Sequence, residues 1–218
     1  MGDIPYGGVV FTTGISSTTQ TVLVSLAKLP FLGKFYLAGG TACALYYGHR
    51  LSYDLDFFSP ELEDPRLITQ ILTQVGQLKV DQQSEGTWLG ELDGVKLSFF
   101  LHIYPAVGHE EKYEGVRIAS KMDIACMKLE AIASRGIQRD FIDMFYLARE
   151  LGMQQILSAS ERKYTKADFS MTHFLRSLIY FVDAEKSETP RMLYPLDWDE
   201  VKVYFEKEVK RLAEAWGL

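Results

Sequence analysis

Asp54 and Asp56 stand one residue apart in the run SYDLDFFSP. If that run is a strand, residues i and i+2 point to the same side. Both carboxylates then converge on one face, while Leu55 and Phe57 turn to the other. Adjacent like charges repel, and strands disfavour Asp. A divalent cation removes the repulsion, and an all-oxygen pair suits Mg²⁺ or Mn²⁺. A solvated Asp pair at a strand end is the plain alternative. An EF-hand loop is excluded, because Phe58 and Ser59 occupy places that need an oxygen ligand and a glycine.

Gly39, Gly40 and Thr41 form the second element. They lie between an apolar run, KFYLA, and a helical-looking run, ACALYY. Glycines there let backbone N–H groups approach an anion, and a helix N-terminus adds a partial positive charge. Any tight strand-to-helix turn would also use glycine. Thr41 and Asp54 are thirteen residues apart, which is the length of one short helix and a return strand. The turn and the carboxylates are therefore expected side by side, a phosphate cradle next to a metal pair. Arg50 and Ser52, on the return segment, join the candidate nucleotide-binding set.

The surrounding pattern supplies the elements. Val22, Leu23, Leu26 and Leu29 share a face, so the spacing predicts a helix over 17–28, ended by Pro30 and Gly33. Strands are expected at 34–38 and 54–58, with a helix over 42–47 closed by Gly48. Pro65 opens a helix running to about Val75, with Asp64 as N-cap. Strands follow at 78–84, 86–92 and 95–104, the last two joined by an Asp93-Gly94 hairpin turn. An edge strand is expected at 116–119. Helices are expected over 120–134, 138–151, 166–183 and 197–215. The fold class is α+β, a mixed β-sheet with flanking helices followed by a helical half. The division is 1–118 for an α+β core and 119–218 for a helical region packed on it. No linker-like stretch separates them, and residues 1–16 read as irregular.

Composition narrows the function. The chain has 218 residues, 47% hydrophobic and 24% charged, the balance of an ordinary globular protein. Its net charge of −6 argues against bulk attraction to nucleic acid. The charges are sorted, however. Residues 54–64 hold Asp54, Asp56, Glu61, Glu63 and Asp64 with no base. Residues 112–139 hold Lys112, Arg117, Lys121, Lys128, Arg135 and Arg139 against Glu114, Asp123 and Glu130. A metal-binding side facing a basic side suits a nucleoside triphosphate. Two cysteines in apolar contexts, Cys43 and Cys126, point to a reducing cytoplasm. No leader is legible in MGDIPYGG, and no apolar run approaches the roughly 18 residues of a membrane span. The four histidines show no zinc spacing. Trp88, Trp198 and Trp216 read as packing residues.

The run GGT, then twelve residues, then DLD and FFSP resembles the nucleotidyltransferase superfamily with the polymerase-β-like fold. Within it the chain is most similar to the AbiEii/AbiGii-type toxins. That family carries a downstream helical motif, matched here by Lys128, Ala131, Arg135, Arg139-Asp140 and Asp143 in MKLEAIASRGIQRDFIDMFYL. The resemblance covers about residues 33–150. It implies transfer of a nucleoside monophosphate from an NTP to a tRNA 3′ end or a protein hydroxyl, as the toxin of a toxin–antitoxin pair. Asp54 and Asp56 would hold Mg²⁺. Gly39, Gly40, Thr41 and Arg135 would bind the nucleotide, Lys128 would contact phosphate, and Asp140 would orient or deprotonate the acceptor. Asp143 reads instead as an i,i+4 surface partner of Arg139.

One position departs from the superfamily, whose enzymes often supply a third carboxylate from a neighbouring strand. On the matching strand, VKLSFFLHIY, the alternate positions are Lys96, Ser98, Phe100, His102 and Tyr104, and Ser98 stands where the acid is expected. A nucleotide-binding module without turnover is therefore the rival expectation. A DxD glycosyltransferase would need a longer nucleotide-binding domain.

Overall fold

The structure is a computed structural model that describes residues 11–61, 64–164 and 170–217. Expectations for residues 1–10, for Glu63 and for 165–169 lie outside the described residues. The chain divides into two compact units. One holds the chain up to Pro105 together with His109–Ser120, and the other holds Ala106–Gly108 and Lys121 onward.

The first unit is built on a seven-stranded mixed sheet. Its strands are β1 (Tyr36–Ala38), β2 (Leu55–Ser59), β3 (Leu78–Ser84), β4 (Thr87–Leu92), β5 (Val95–Leu101), β6 (Glu111–Tyr113) and β7 (Val116–Ile118). They lie in the order β3-β4-β5-β2-β1-β7-β6. Strand β2 runs antiparallel to β1 and parallel to β5. Three helices accompany the sheet: α1 (Ser17–Ala27), α2 (Gly39–Tyr47) and α3 (Pro65–Leu72).

Local chemistry accounts for these boundaries. Ser16 caps α1 by accepting from the Thr19 amide at 3.0 Å. Asp64 caps α3 at the Arg66 amide, ahead of Pro65 in the first turn. Gly48 closes α2 in the left-handed conformation, φ 59°. Asp93 and Gly94 both take positive φ, the conformation of a two-residue hairpin turn, and β4 pairs with β5 across them.

One sheet face is the core. Leu37, Leu55, Phe57, Trp88, Leu97 and Phe99 are at most 1% exposed. Phe99 is the hub, with ring centroids of Phe35, Phe57 and Trp88 at 5.1, 5.2 and 5.6 Å. The Trp88 indole N–H is satisfied by the Thr69 hydroxyl at 2.9 Å, so the ring is buried without an orphaned donor.

The second unit is helical: α4 (Lys121–Ser134), α5 (Gln138–Leu151), α6 (Met153–Lys163), α7 (Met171–Ser177), α8 (Val182–Lys186) and α9 (Trp198–Trp216). Phe141 centres its core, with Phe181, Trp198 and Phe205 at 5.2, 5.9 and 5.7 Å.

Three expectations are corrected and one helix is added. Helix α2 begins at Gly39 rather than at 42, so both glycines are its first turn. Strand β7 is not an edge, because it lies between β1 and the unforeseen β6; the Glu114-Gly115 turn, φ 50° and 83°, joins the pair. Helix α6 lies in a stretch to which the sequence reading assigns no element, and a single glycine, Gly152 at φ 83°, separates it from α5. The helix expected over 166–183 is two short helices, α7 and α8, in the described part.

Candidate active site

The first-unit residues singled out by spacing converge. Asp54 immediately precedes β2 and Asp56 lies within it. Both are half-buried, while Leu55 and Phe57 are fully buried, so the alternation sends the carboxylates to the face opposite the core. Asp56 pairs with Ala38 on β1, the residue before Gly39.

That register brings the carboxylate against the glycine. Gly39 has φ +66°, and a methyl group added there would lie 2.7 Å from Asp56 Oδ2. Glycine is required on both counts. At Gly40 an added methyl would meet Arg50 Nη2 at 2.5 Å and Ser52 Oγ at 3.3 Å. The first turn of α2 is thus approached by a carboxylate and by a guanidinium. Arg50 is only 4% exposed, and its Nη1 donates to the Leu51 carbonyl at 3.1 Å. The N-cap residue of α2 is Ala38, which has no side-chain oxygen to cap the helix.

Thr41 faces inward. It is fully buried, its hydroxyl donates to the Asp54 carbonyl, and it lies 2.8 Å from the Ser52 hydroxyl. The Ser52 amide in turn donates to the Gly14 carbonyl at 2.9 Å. Thr19 donates to the Tyr53 carbonyl at 3.3 Å. The thirteen-residue interval is therefore closed by a hydrogen bond that fixes the backbone of Asp54. Ser98 on β5 is the direct partner of Asp56 and shares its face.

The second-unit residues form a cluster of their own on the α4–α5 hairpin. Gly136, φ +50°, turns the chain between the helices. Lys128 Nζ lies 2.9 Å from Asp140 Oδ1 and 2.6 Å from Asp143 Oδ2. Arg135 holds Asp140 in a fork, Nε to Oδ2 at 2.9 Å and Nη2 to Oδ1 at 3.0 Å. Asp140 and Asp143 are fully buried and Lys128 nearly so. Arg135 is the member open to solvent, its side chain 53% exposed.

Burial pushes the Asp140 carboxyl up. The Lys128 charge, with the Arg135 hydrogen bond and charge, outweighs it and holds the group below the ordinary carboxylate range. A proton leaves such a group easily and returns reluctantly.

Asp143 corrects the sequence reading. It is a buried partner of Lys128, not a surface partner of Arg139. The signal was its i+3 spacing from Asp140 within an apolar stripe of Phe141, Ile142, Met144 and Phe145. A second buried pair was also missed. Lys163 donates to Asp123 at 2.8 Å, and Asp123 also accepts from the amides of Val107 and Gly108 at 3.0 and 3.1 Å. Nothing in the local sequence pairs residues forty apart. The basic stretch is largely neutralised: Arg117, Lys121, Lys128 and Arg135 each sit in an ion pair.

A sequence profile described as the nucleotidyl transferase AbiEii toxin of a type IV toxin–antitoxin system matches residues 21–211. The chain belongs to the AbiEii nucleotidyltransferase toxin family. An uncharacterized protein of Aquifex aeolicus (strain VF5) is 39% identical over 201 residues, spanning 89% of this chain and 96% of that one. Two solved structures share the fold at low identity. JHP933 from Helicobacter pylori has a TM-score of 0.55 at 19% identity, over 90% of this chain and 89% of that one. MenT4, a nucleotidyltransferase toxin of Mycobacterium tuberculosis H37Rv, has a TM-score of 0.51 at 13% identity, over 89% of this chain and 84% of that one. The AbiEii match runs through both the carboxylate pair and the Lys128–Asp140–Asp143 cluster.

Proposed function

We propose that this family member transfers a nucleoside monophosphate from an NTP to a hydroxyl, of an RNA 3′ end such as that of tRNA or of a protein, and releases pyrophosphate. The observation that carries the proposal is the pairing of Asp54 and Asp56 with the glycine-opened start of α2. The acceptor oxygen forms a bond to the α-phosphorus. The bond from that phosphorus to the bridging oxygen of pyrophosphate breaks, and the acceptor proton passes to water.

The donor set at Asp54 and Asp56 is all oxygen, half-buried and on one face, which fits Mg²⁺ or Mn²⁺. When bound there, the ion offsets charge developing on the phosphates. The N–H groups of Gly39 and Gly40, with the Arg50 guanidinium beside them, cradle phosphate oxygens. Thr41 and Ser52 act through position, by holding Asp54. In the helical unit, Arg135, paired with Asp140 and with its side chain 53% exposed, is the cation proposed for phosphate. Asp140, held below its usual range, sets the orientation of Lys128 and Arg135 and is a poor proton acceptor. The family description supports a toxin–antitoxin setting, so an antitoxin partner belongs to the proposal. Cytoplasmic residence belongs to it as well; among the described residues no helix is long and apolar enough to cross a membrane.

The test is transfer of label from α-labelled NTPs to total tRNA and to protein, with and without Mg²⁺. Labelled acceptor is expected with the native chain, and none with Asp54→Ala/Asp56→Ala. Undiminished labelling by that double variant sinks the proposal. The position of Ser98 beside Asp56 favours one rival, a nucleotide-binding module without turnover. Thermal stabilisation by NTP and Mg²⁺ without pyrophosphate release across varied acceptors would select it.

A further inference from the structure

Strands β2 and β5 carry aromatic residues on both faces, which a one-sided core does not require. Phe57 and Phe99 fill the core. Phe58 and Phe100 point the other way, toward the face of Asp56 and Ser98, where an ordinary strand would place polar residues. They are partly exposed. Tyr36, Phe58 and Phe100 are direct partners across three adjacent strands. Their rings form a ladder: Tyr36 stacks on Phe58 with centroids 6.0 Å apart, and Phe58 meets Phe100 at 5.3 Å. His102 accompanies it, 2.8 Å from the Tyr36 hydroxyl and 5.8 Å from the Phe58 ring. The next strand, β4, places Thr87 beside Phe100, so the ladder's last neighbour across the sheet is not a ring.

We propose that this ladder is a stacking platform for the unpaired bases next to the reacting 3′ end of an RNA acceptor. The inference rests on the proposed transfer reaction for putting the acceptor over this face. Phe58 and Phe100 lie two residues beyond Asp56 and Ser98 on parallel strands, about 7 Å along the sheet. An acceptor whose terminal hydroxyl meets the carboxylates therefore lays its preceding bases on the rings. Aromatic side chains on an open sheet face read single strands in this manner, because every base has a π-face. A half-exposed aromatic patch in line with the carboxylates fits bases better than a folded protein acceptor, which would need a larger and drier surface. The overall acidity of the chain is compatible with it, since stacking rather than bulk charge holds the strand.

The experiment is anisotropy of a labelled single-stranded RNA of about ten nucleotides, without NTP or metal ion, on the full chain. Intact RNA is compared with the same strand made abasic near its 3′ end. Phe58→Leu and Phe100→Leu retain apolar volume, and Phe100→Trp restores a ring. Expected are binding by the native chain, about tenfold weaker binding of the abasic strand, a similar loss for each leucine variant, and recovery with tryptophan. Equal binding of intact and abasic strands, or native-like binding by folded leucine variants, overturns the platform. Because no transfer is needed, this outcome is separate from that of the labelling assay.

Discussion

At the residue scale, the candidate site depends on contacts that leave no room for a methyl group. Gly39→Ala introduces a side chain at φ +66° and drives it into Asp56 Oδ2. The backbone term costs about 1–2 kcal/mol. If Asp56 holds the ion as proposed, displacing its carboxylate by an ångström should lower transfer about a hundredfold. Label transfer measured beside a thermal melt should show activity falling far more than stability. Cys126 gives a second residue-level expectation. Burial pushes its thiol up to about 11, against smaller opposing contributions from Ser160 and Lys163. It should resist iodoacetamide at pH 8 in the folded chain and react once the chain is unfolded, as read by mass spectrometry.

At the element scale, the α4–α5 hairpin is organised around buried charge. Removing Lys128 leaves Asp140 and Asp143 without it in the interior, and Lys128→Met should destabilise by about 3–5 kcal/mol. Adding Asp140→Asn and Asp143→Asn should recover part of that loss, because the uncompensated charges are then gone. Urea denaturation of the single and triple variants checks both points. The Asp123–Lys163 pair links α4 to α6 and holds the amides of Val107 and Gly108, so Asp123→Ala should be similarly damaging. Much of this architecture was legible in sequence. Helix α1 followed from its apolar period and flanking breakers, α4, α5 and α9 from the helical character of the second half, and the β4–β5 hairpin from Asp93-Gly94. Strand β6 and helix α6 were not, because one is three residues long and the other is separated from its neighbour by a single glycine.

At the scale of the whole molecule, each unit has an aromatic core of its own. The sheet unit is centred on the Phe99 aromatic cluster, whose packing carries no charge. The helical unit adds buried ion pairs to its aromatic core. The Asp140 carboxyl lies below its unfolded range, so its contribution is present above about pH 4 and is lost as pH falls through the folded value. Acid should therefore open the helical unit before the sheet unit. Hydrogen exchange followed from pH 6 downward should show protection lost first in α4 and α5, with β2 and β5 persisting.

Sequence alone determined the carboxylate pair, the Gly-Gly step between a strand and a helix beside it, and the α+β class. These are local matters, since a period of two, a thirteen-residue interval and a Gly-Gly step are set by neighbours along the chain. Only the tertiary structure decided what the polar side chains do. It turned Thr41 inward to hold Asp54, buried Asp143 against Lys128, paired most of the basic stretch, and set Ser98 beside Asp56. It also aligned Tyr36, Phe58 and Phe100 into one ladder. Each of these joins residues from different elements, and no spacing rule encodes a partner that arrives only when helices pack or strands take register.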